Sequence, residues 1–344
     1  MKQRGITVIV GAVLVATLTW LALHAQVPYV QLEPGPSYNT LGKDDQGKDV
    51  IVLNGATATE SKGQLRFLTI VIRRQLTLAE AIEGWLKGDE SVVPEELYFP
   101  PGQSQDQIDK ENQQDFATSI SSAQIAALNK LGYPPLVGVK EVAAGSPAEG
   151  KLKPGDIINT IDGEKIGNAD ALVAKLRSKP AGTTFQFGIT RDGTAMTVAV
   201  ATKQDTDGVQ RIGVTPEITS AAKFKISIPI ENVGGPSAGL MLTLGIIDKI
   251  EPEDLTGGKI IAGTGTIDPS GKVGPIGGLP QKLVTAKSAG ARWFLTPKDN
   301  CAEGVANQKA GLPLVQVGTL DEALTALADI RAGKEPPLCP GSKP

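Results

Sequence analysis

The sequence predicts a mixed α/β protein of two compact domains that follow an N-terminal transmembrane helix. The chain has 344 residues, of which 40% are hydrophobic and 21% charged, so it is long enough for two apolar cores. Strand-like and helix-like runs alternate before and after a segment of different character, residues 136–203. One long apolar run stands at the N-terminus. These three observations set the expected fold class.

The N-terminal run is the clearest physical signal in the sequence. Residues 6–25 carry no acidic or basic side chain apart from one histidine, and at ~1.5 Å per residue they span roughly the 30 Å of a bilayer core. Lys2 and Arg4 precede the run, whereas the first charge after it is Glu33. The positive-inside rule therefore predicts a single-pass protein of the cell membrane with a cytoplasmic N-terminus. Everything after Gln26 would lie outside the cytoplasm.

A cleaved signal peptide is the alternative interpretation of this run. The apolar stretch is longer than a usual signal-peptide core, and Leu23-His24-Ala25 lacks the small-x-small pattern of a cleavage site. An uncleaved anchor is therefore favoured, although the sequence leaves both readings open.

Composition excludes several functional classes. The net charge is −3 and no basic cluster occurs beyond the N-terminus, so we expect no nucleic-acid partner. Residues 145–151 spell Gly-x-x-x-x-Gly-Lys, but Leu152 follows and offers no hydroxyl for a magnesium ion. No Cys/His cluster has metal-site spacing. We expect no nucleotide, no metal and no other cofactor.

The chain contains two cysteines, Cys301 and Cys339. In an oxidising compartment a pair with no other partner is most simply a disulfide. A bridge between them would tie the C-terminal tail to the body of the domain. Two free thiols are the alternative, and the expected topology makes that alternative the weaker one.

The region after the apolar run is predicted to form strands and helices. Residues 27–42 have an extended character, and two strand-like runs follow at 50–53 and 65–72. Thr77 and Glu80 have the spacing of a capping box at the start of a helix. A second helix with apolar residues at helical spacing ends near Gly132.

Residues 136–203 predict a separate module of short strands and tight turns. A strand at 137–142 is followed by a turn at 145–148 and a turn–strand–turn unit at 152–163. Asn168 can cap a helix, after which 184–190 and 194–201 form a hairpin about Asp192-Gly193.

The C-terminal region returns to α/β alternation. The sequence predicts strands at 225–230, 260–267, 292–296 and 313–317, and helices at 240–247 and 278–289. Thr319 and Glu322 have the spacing of a second capping box at the start of the last helix.

Ser237 is the candidate nucleophile. It lies in the segment Gly234–Gly239, where glycines and a proline set a tight turn before an apolar run of helix length. We therefore expect Ser237 in the first turn of a helix, where unpaired backbone N–H groups can bind an oxyanion. Gly235, Pro236 and Ala238 would form this turn and its oxyanion site.

The base for this serine is predicted by elimination. The only histidine, His24, lies at the end of the apolar run, so the base must be a lysine or a carboxylate. A lysine serves only if burial lowers its pKa. On a helix after Gly278, Lys282 falls about 50° from the centre of the apolar face and Lys287 about 90°. Lys282 is the better candidate, and a flank lysine that extends to solvent is the alternative.

The middle module resembles a PDZ domain of the kind appended to bacterial proteases. The resemblance rests on Gly-Ser-Pro-Ala at 145–148, Leu-x-x-Gly-Asp-x-Ile at 152–158 and Ile-Asp-Gly at 161–163. It implies that the module takes an extended peptide as an added strand. Residues 132–138 depart from the carboxylate-binding loop of such domains.

The C-terminal region resembles the proteolytic domain of Lon proteases. Three segments carry the resemblance: Gly234–Leu240, Gly263–Gly265 and Val273–Leu279, with Lys282 three residues further on. It implies a Ser/Lys dyad in which Ser237 is the nucleophile, Lys282 the base and Thr264 the hydroxyl that orients the lysine amine.

The resemblance also implies an architecture and an activity. Residues 27–132 would belong to the protease region, 133–205 to an inserted PDZ domain and 206–344 to the Lon-type domain, behind an anchor at 1–26. The implied function is an ATP-independent serine endopeptidase that cleaves extracytoplasmic peptides or unfolded proteins, with subunits in a hexameric ring. Two features depart from many Lon enzymes: Gly234 replaces an acidic residue, and Lys225–Ile228 replaces a histidine-bearing strand.

Two other functions fit parts of the sequence. The first is a membrane-tethered PDZ scaffold that binds a peptide and carries an inactive protease domain. The second is a cell-wall transpeptidase that uses the Ser-x-x-Lys pattern of Ser220 and Lys223, but no Lys-Thr-Gly follows it in the chain.

Overall fold

The structure is a computed structural model that describes residues 2–44, 46–87, 90–205, 208–222, 224–231 and 233–343. The chain divides into two compact units, the first formed by Met1–Gln124 with Ile226–Pro344 and the second by Ile125–Lys225. Both ends of the chain therefore build the first unit, and the second unit is inserted between them.

The α-helices of the described residues are α1 (Lys2–His24), α2 (Leu78–Leu86), α3 (Gln105–Lys130), α4 (Ala169–Arg177), α5 (Gly239–Ile250), α6 (Leu279–Ser288), α7 (Cys301–Ala306) and α8 (Leu320–Arg331). The strands of the N-terminal half are β1 (Tyr29–Asn39), β2 (Val52–Asn54), β3 (Gln64–Arg73), β4 (Ser91–Pro94), β5 (Pro135–Val142), β6 (Ile157–Ile161), β7 (Glu164–Lys165), β8 (Thr184–Arg191) and β9 (Thr194–Ala201). The remaining strands are β10 (Lys203–Gln204), β11 (Gln210–Arg211), β12 (Val214–Ser220), β13 (Lys225–Ser227), β14 (Ile260–Gly263), β15 (Thr266–Ile267), β16 (Val273–Gly274), β17 (Trp293–Pro297) and β18 (Leu314–Val317).

The first unit is organised around a six-stranded mixed sheet in the order β18-β17-β14-β3-β1-β4. Strands β3, β14, β17 and β18 run parallel, whereas β1 is antiparallel to both β3 and β4. Helix α6 packs its apolar face on this sheet. The buried residues that join the helix to the strands are Leu68, Ala262, Leu279, Leu283, Ala286, Phe294 and Leu314.

Helix α5 forms the centre of the first unit. Every residue from Gly239 to Lys249 is buried, which is typical of a core helix that is enclosed on all sides. Gly245 allows a close approach, because a Cβ there would lie 2.5 Å from the Thr40 hydroxyl. This closely packed helix follows directly on the turn that contains Ser237.

The second unit is an antiparallel sheet in the order β12-β5-β6-β8-β9, with α4 packed against it. The predicted hairpin is present, and Asp192 and Gly193 at its turn have φ values of 49° and 79°. The predicted cap is present too, since the Asn168 side chain accepts a hydrogen bond from the Ala171 N–H. Strand β12 was not predicted, and it extends this sheet because it pairs with β5 along its whole length.

The first capping box is confirmed and the second is formed in part. Thr77 and Glu80 exchange both hydrogen bonds at the start of α2. At the start of α8 the Thr319 hydroxyl accepts from the Glu322 N–H, but the Glu322 carboxylate accepts from the Gly318 N–H, 2.6 Å away. The second carboxylate therefore reaches one residue further back than the pattern predicts.

The helix that ends near Gly132 begins much earlier than its apolar spacing indicates. Helix α3 starts at Gln105, and its first half is polar except for Ile108 and Phe116, which are buried. Glutamine, glutamate and lysine have a high helix propensity. The first half of α3 is therefore helical although it lacks the apolar periodicity that would indicate a helix in the sequence.

The N-terminal helix is long and apolar enough to cross a membrane over Gly5–His24, and none of that stretch is buried. A signal sequence near the N-terminus has the same properties. The structure therefore agrees with both interpretations of the apolar run.

A disulfide joins Cys301, the first residue of α7, to Cys339 near the C-terminus. The tail around Cys339 is also held by backbone pairing, since the Cys339 N–H donates to the Leu314 carbonyl at 2.8 Å. The bridge thus fixes the tail against the outer strand of the sheet.

We predict that Cys301→Ser/Cys339→Ser lowers the free energy of unfolding. Closing a loop of 38 residues removes entropy from the unfolded chain worth about 3–4 kcal/mol. Urea unfolding of the two proteins measures the difference. The wild-type protein in reducing buffer should match the variant, and equal stability of all three samples would contradict this account.

Candidate active site

Ser237 lies in the turn that immediately precedes α5. The helix begins at Gly239, with Ala238 as its N-cap, so the prediction that Ser237 occupies the first turn of the helix is wrong by two residues. Gly235 has a φ of +79°, which favours glycine, and its N–H donates to the Asn112 carbonyl at 2.9 Å. This local turn, rather than the helix, sets the position of the serine.

Three hydrogen bonds hold the backbone of this turn. The Ser119 hydroxyl donates to the Pro236 carbonyl at 2.9 Å. The Ser237 carbonyl accepts from the Gly265 N–H at 2.9 Å and from the Thr264 hydroxyl at 3.1 Å. The serine backbone is therefore fixed from two sides, while its side chain remains available to other groups.

Lys282 lies on the buried face of α6. Gly278 is the N-cap of this helix in the left-handed conformation, with φ +68°, and Lys282 comes one turn later. Its side chain is only 2% exposed and neighbours the buried Leu279 and Leu283. Lys287, the other candidate on the helix, is exposed. The structure therefore places the amine inside the protein and not at the solvent edge.

The structure brings the three polar side chains together. The Lys282 Nζ lies 2.9 Å from the Ser237 Oγ and 3.2 Å from the Thr264 Oγ1. The side chains come from three separate elements: the turn before α5, the end of β14 and the first turns of α6. Thr264 is completely buried. A neutral amine at this distance can accept the serine proton.

Burial controls the charge of this lysine. Removal from water lowers the pKa of the Lys282 amine to about 8, and the Glu303 carboxylate acts weakly in the opposite direction. Within the described residues Lys282 forms no ion pair, and Glu303 instead accepts a hydrogen bond from the Asn300 side chain at 3.0 Å. A large fraction of the amine is therefore neutral near pH 8.

The turn also presents backbone donors beside the serine. Among the residues that the structure describes, the N–H groups of Ser237 and Ala238 have no hydrogen-bond acceptor. Pro236 has no N–H, and that of Gly235 is already bound to Asn112. Of the residues predicted for an oxyanion site, Ala238 offers a free donor, whereas Gly235 and Pro236 shape the turn.

An open cleft of about 1130 Å³ leads to this site. Its walls are formed by residues 67–72 of β3, residues 97–100, residues 109–115 of α3 and the loop 275–277. Ser237 and Lys282 both line it. Burial, with a smaller contribution from Glu303, raises the pKa of the Tyr98 phenol at the wall. The side chains of the dyad candidates are therefore reached from this cleft.

Among the described residues, the remaining candidates form no metal site. In the part of the chain that is described, no cluster of histidine, cysteine, aspartate or glutamate could hold a metal ion. Ser220 lies at the end of β12, where its hydroxyl accepts from the Ala222 N–H, and Lys223 lies outside the described residues.

Several residues that shape the site have no sequence signal. Asn112 lies in the polar first half of α3 and Ser119 near its middle, and no local pattern places either beside Ser237. Asn300 holds the loop at Ile276 through two hydrogen bonds of 2.9 and 3.0 Å with its backbone. These side chains support the site from elements that are distant in sequence.

Comparison with known families finds two domains in the chain. Residues 109–202 match the family model of the PDZ domain, and residues 183–328 match that of the Lon protease (S16) C-terminal proteolytic domain. The chain therefore carries a Lon-type proteolytic domain together with a PDZ domain, which confirms the two resemblances and the fold class predicted from the sequence.

Individual relatives cover parts of the chain. Lon protease of Azospirillum brasilense is 34% identical over 117 residues, which are 33% of this chain and 14% of that protein. Lon protease 2 of Bacillus subtilis is 37% identical over 103 residues, or 29% of this chain and 17% of that protein. The chain thus spans a small part of the length of these relatives. The crystal structure of the PDZ domain of an SdrC-like protein from Listeria monocytogenes is 26% identical, covers 23% of this chain and 85% of that chain, and has a TM-score of 0.23.

We predict that Lys282→Met stabilises the fold at neutral pH. The folded state binds the lysine proton less tightly than the unfolded chain, so the wild-type protein gains stability as the pH rises from about 8 to 10.5. Below pH 8 the buried charge costs about 3 kcal/mol, which methionine removes.

Urea unfolding at several pH values tests this prediction. The excess stability of Lys282→Met should be largest below pH 8 and should shrink towards pH 10.5. The control is Lys287→Met, an exposed lysine on the same helix, which should show no such trend. A variant that is less stable than the wild type at pH 7 would refute the account.

Proposed function

We propose that this protein is a serine endopeptidase in which Ser237 and Lys282 form the catalytic dyad and no nucleotide is required. The observation that carries the proposal is the 2.9 Å separation between the Lys282 amine and the Ser237 hydroxyl, at a lysine that is 2% exposed. The match to a Lon proteolytic domain supports the same conclusion.

The geometry supports acyl transfer. The neutral Lys282 amine takes the proton of the Ser237 hydroxyl, and the serine oxygen attacks the carbonyl carbon of a peptide bond. The N–H groups of Ser237 and Ala238 donate to the oxyanion that develops on the carbonyl oxygen. The lysine ammonium then gives its proton to the leaving amine, and the acyl group remains on the serine.

Hydrolysis of the acyl-enzyme reverses these roles. Lys282, neutral again, takes a proton from a water molecule, and the resulting hydroxide attacks the ester carbonyl. The tetrahedral intermediate then collapses and releases the new carboxyl group, and the Lys282 ammonium gives its proton to the departing serine oxygen. In our proposal the Thr264 hydroxyl keeps the lysine amine aimed at the serine through both steps, in line with its 3.2 Å contact.

The proposed substrates are loose or unfolded polypeptides. The cleft is open, and no nucleotide site is expected that could drive unfolding of a folded substrate. The PDZ domain would bind an extended peptide, either from the substrate or from another partner. The proposed domain order is the anchor, the first part of the protease region, the inserted PDZ domain and the catalytic part.

We further propose that α1 anchors the protein in the cell membrane with both units on the extracytoplasmic side. The charges at Lys2 and Arg4 support this orientation, and the disulfide agrees with an oxidising compartment. By resemblance to Lon, the subunits would assemble into a hexameric ring.

We predict that Ser237→Ala and Lys282→Met each abolish peptide cleavage while the fold is retained. Loss of either member removes the nucleophile or its base, and a rate loss of roughly a thousandfold or more is usual for such changes. Casein or a quenched fluorescent peptide reports the rate, and circular dichroism reports the fold. Lys287→Met is the matched control and should cleave like the wild type. Near-wild-type activity in either dyad variant would exclude the proposed dyad.

We predict that kcat/KM rises with pH and levels off above about pH 8. Only the neutral amine can take the serine proton, and its pKa is about 8. Well below this value the rate should fall about tenfold for each unit of pH. Initial rates at low substrate concentration between pH 5.5 and 9.5 measure the profile. A flat profile between pH 6 and 8 would show that Lys282 is not the base.

Labelling with a fluorophosphonate separates an active protease from a PDZ scaffold with an inactive domain. An active site should label at Ser237 and lose the label in Ser237→Ala. A wild-type protein that takes up no label and cleaves no casein would favour the scaffold.

A further inference from the structure

Helix α2 exposes an apolar face that the proposed protease mechanism does not use. Four of its side chains are largely open to solvent: Leu78 is 39% exposed, Ile82 46%, Trp85 55% and Leu86 82%. On a helical wheel these residues span about 100° of one side. Glu83 lies about 115° from the centre of this face, and Glu80 lies on the opposite side of the helix. The face is therefore apolar without interruption.

The rest of the structure keeps this face turned outward. Ala81 and Gly84 pack inward, and a Cβ at Gly84 would lie 2.6 Å from a Val92 methyl, so the helix is seated closely on β4. The Trp85 indole N–H donates to the Val92 carbonyl at 3.2 Å, and its ring meets the edge of Tyr29 at 5.6 Å. The helix cannot rotate to bury its apolar side without loss of these contacts.

The charged side chains of α2 are paired away from this face. Glu80 accepts from Arg73 at 3.0 Å and completes the capping box with Thr77. Glu83 pairs with Lys87 at 3.1 Å. The helix is thus amphipathic, with ion pairs on one side and a tryptophan with three aliphatic residues on the other.

The contacts between α2 and the end of α1 bear on what covers this face. The start of α2 is hydrogen-bonded directly to the end of α1: the Leu78 N–H donates to the Ala25 carbonyl at 3.1 Å, and the Val27 N–H donates to the Leu76 carbonyl at 2.9 Å. Gln26 and Thr77 form an antiparallel bridge between them. Because 20 residues of helix span about 30 Å, Ala25 reaches the edge of the hydrocarbon core if α1 crosses the bilayer.

We propose that α2 is an interfacial helix whose apolar face, Leu78, Ile82, Trp85 and Leu86, lies in the outer surface of the same bilayer that α1 spans. A short amphipathic helix with tryptophan and leucine on one side is suited to the boundary between headgroups and acyl chains. The helix gives the first unit a second point of attachment and fixes its orientation to the membrane. This inference rests on the proposed anchoring by α1.

Quenching of tryptophan fluorescence by brominated lipids tests the proposal on the full chain. The protein is reconstituted in phosphatidylcholine vesicles with bromine near the headgroup end of the acyl chains. The chain has three tryptophans, Trp20, Trp85 and Trp293. The emission of Trp85 is obtained as the difference between the emission of Trp20→Phe and that of Trp20→Phe/Trp85→Phe. We expect bromine to remove most of that emission.

The outcomes are distinguishable. The emission of Trp20 is obtained in the same way, as the difference between Trp85→Phe and Trp20→Phe/Trp85→Phe, and it reports insertion of α1. Quenching of Trp20 without quenching of Trp85 would overturn the interfacial helix and leave the anchor intact. No quenching of either would overturn both. If bromine does not quench the emission of Trp85 but the emission changes with protein concentration, the face contacts a second copy of the chain. That result would also overturn the proposal.

A variant that places a charge on the apolar face of α2 provides a second test. Leu86→Glu should reduce the quenching of Trp85 and shift its emission to the red, whereas the fold survives because Leu86 makes little contact with the core. Ile218→Glu, at an exposed apolar residue of the second unit, is the matched control and should leave the quenching unchanged. Equal quenching in Leu86→Glu and the control would contradict the proposed contact.

Discussion

Burial of the Lys282 amine beside Ser237 is the constraint that the packing of the first unit has to meet, and it is met at a cost in stability. An amine loses its proton near neutral pH only when the protein withholds water from it and offers no carboxylate as a partner. Helix α6 meets both requirements, because Leu279, Leu283 and Ala286 seat it on the sheet and Glu303 is bonded elsewhere. The sheet, α6 and the disulfide-linked tail form the packing that excludes water from the Lys282 amine.

The serine is positioned by a different principle. Its turn is held by hydrogen bonds to polar groups from elements that lie far apart in sequence, namely the Asn112 carbonyl, the Ser119 hydroxyl and the Gly265 N–H. Hydrogen bonds to a backbone fix direction as well as distance, which apolar packing alone does not. The site therefore combines a lysine positioned by packing with a serine positioned by directed polar contacts.

The sequence predicted the individual elements of this site better than the contacts between them. The wheel around Leu279 and Leu283 placed Lys282 near the core because helical periodicity is a local property. Thr264 entered only through family resemblance, since nothing in a strand-end threonine indicates a contact with a lysine eighteen residues away. Asn112 was missed because the first half of α3 is polar, and Ser119 because a hydrogen bond across 117 residues leaves no local pattern. Ser237 was expected in the first turn of α5 but precedes the helix by two residues, since the glycines indicate a turn without fixing where the helix begins.

The insertion of the second unit has a consequence for the order in which the chain folds. The residues that hold the serine turn, Asn112 and Ser119, are made before the insert, and the turn itself is made after it. Contacts of such long separation form late, since loop closure has to precede them. During synthesis from the N-terminus the second unit can be completed before Ser237 and Lys282 have been made. The contact between these two side chains, which are 45 residues apart, therefore forms only after most of the chain has been synthesised.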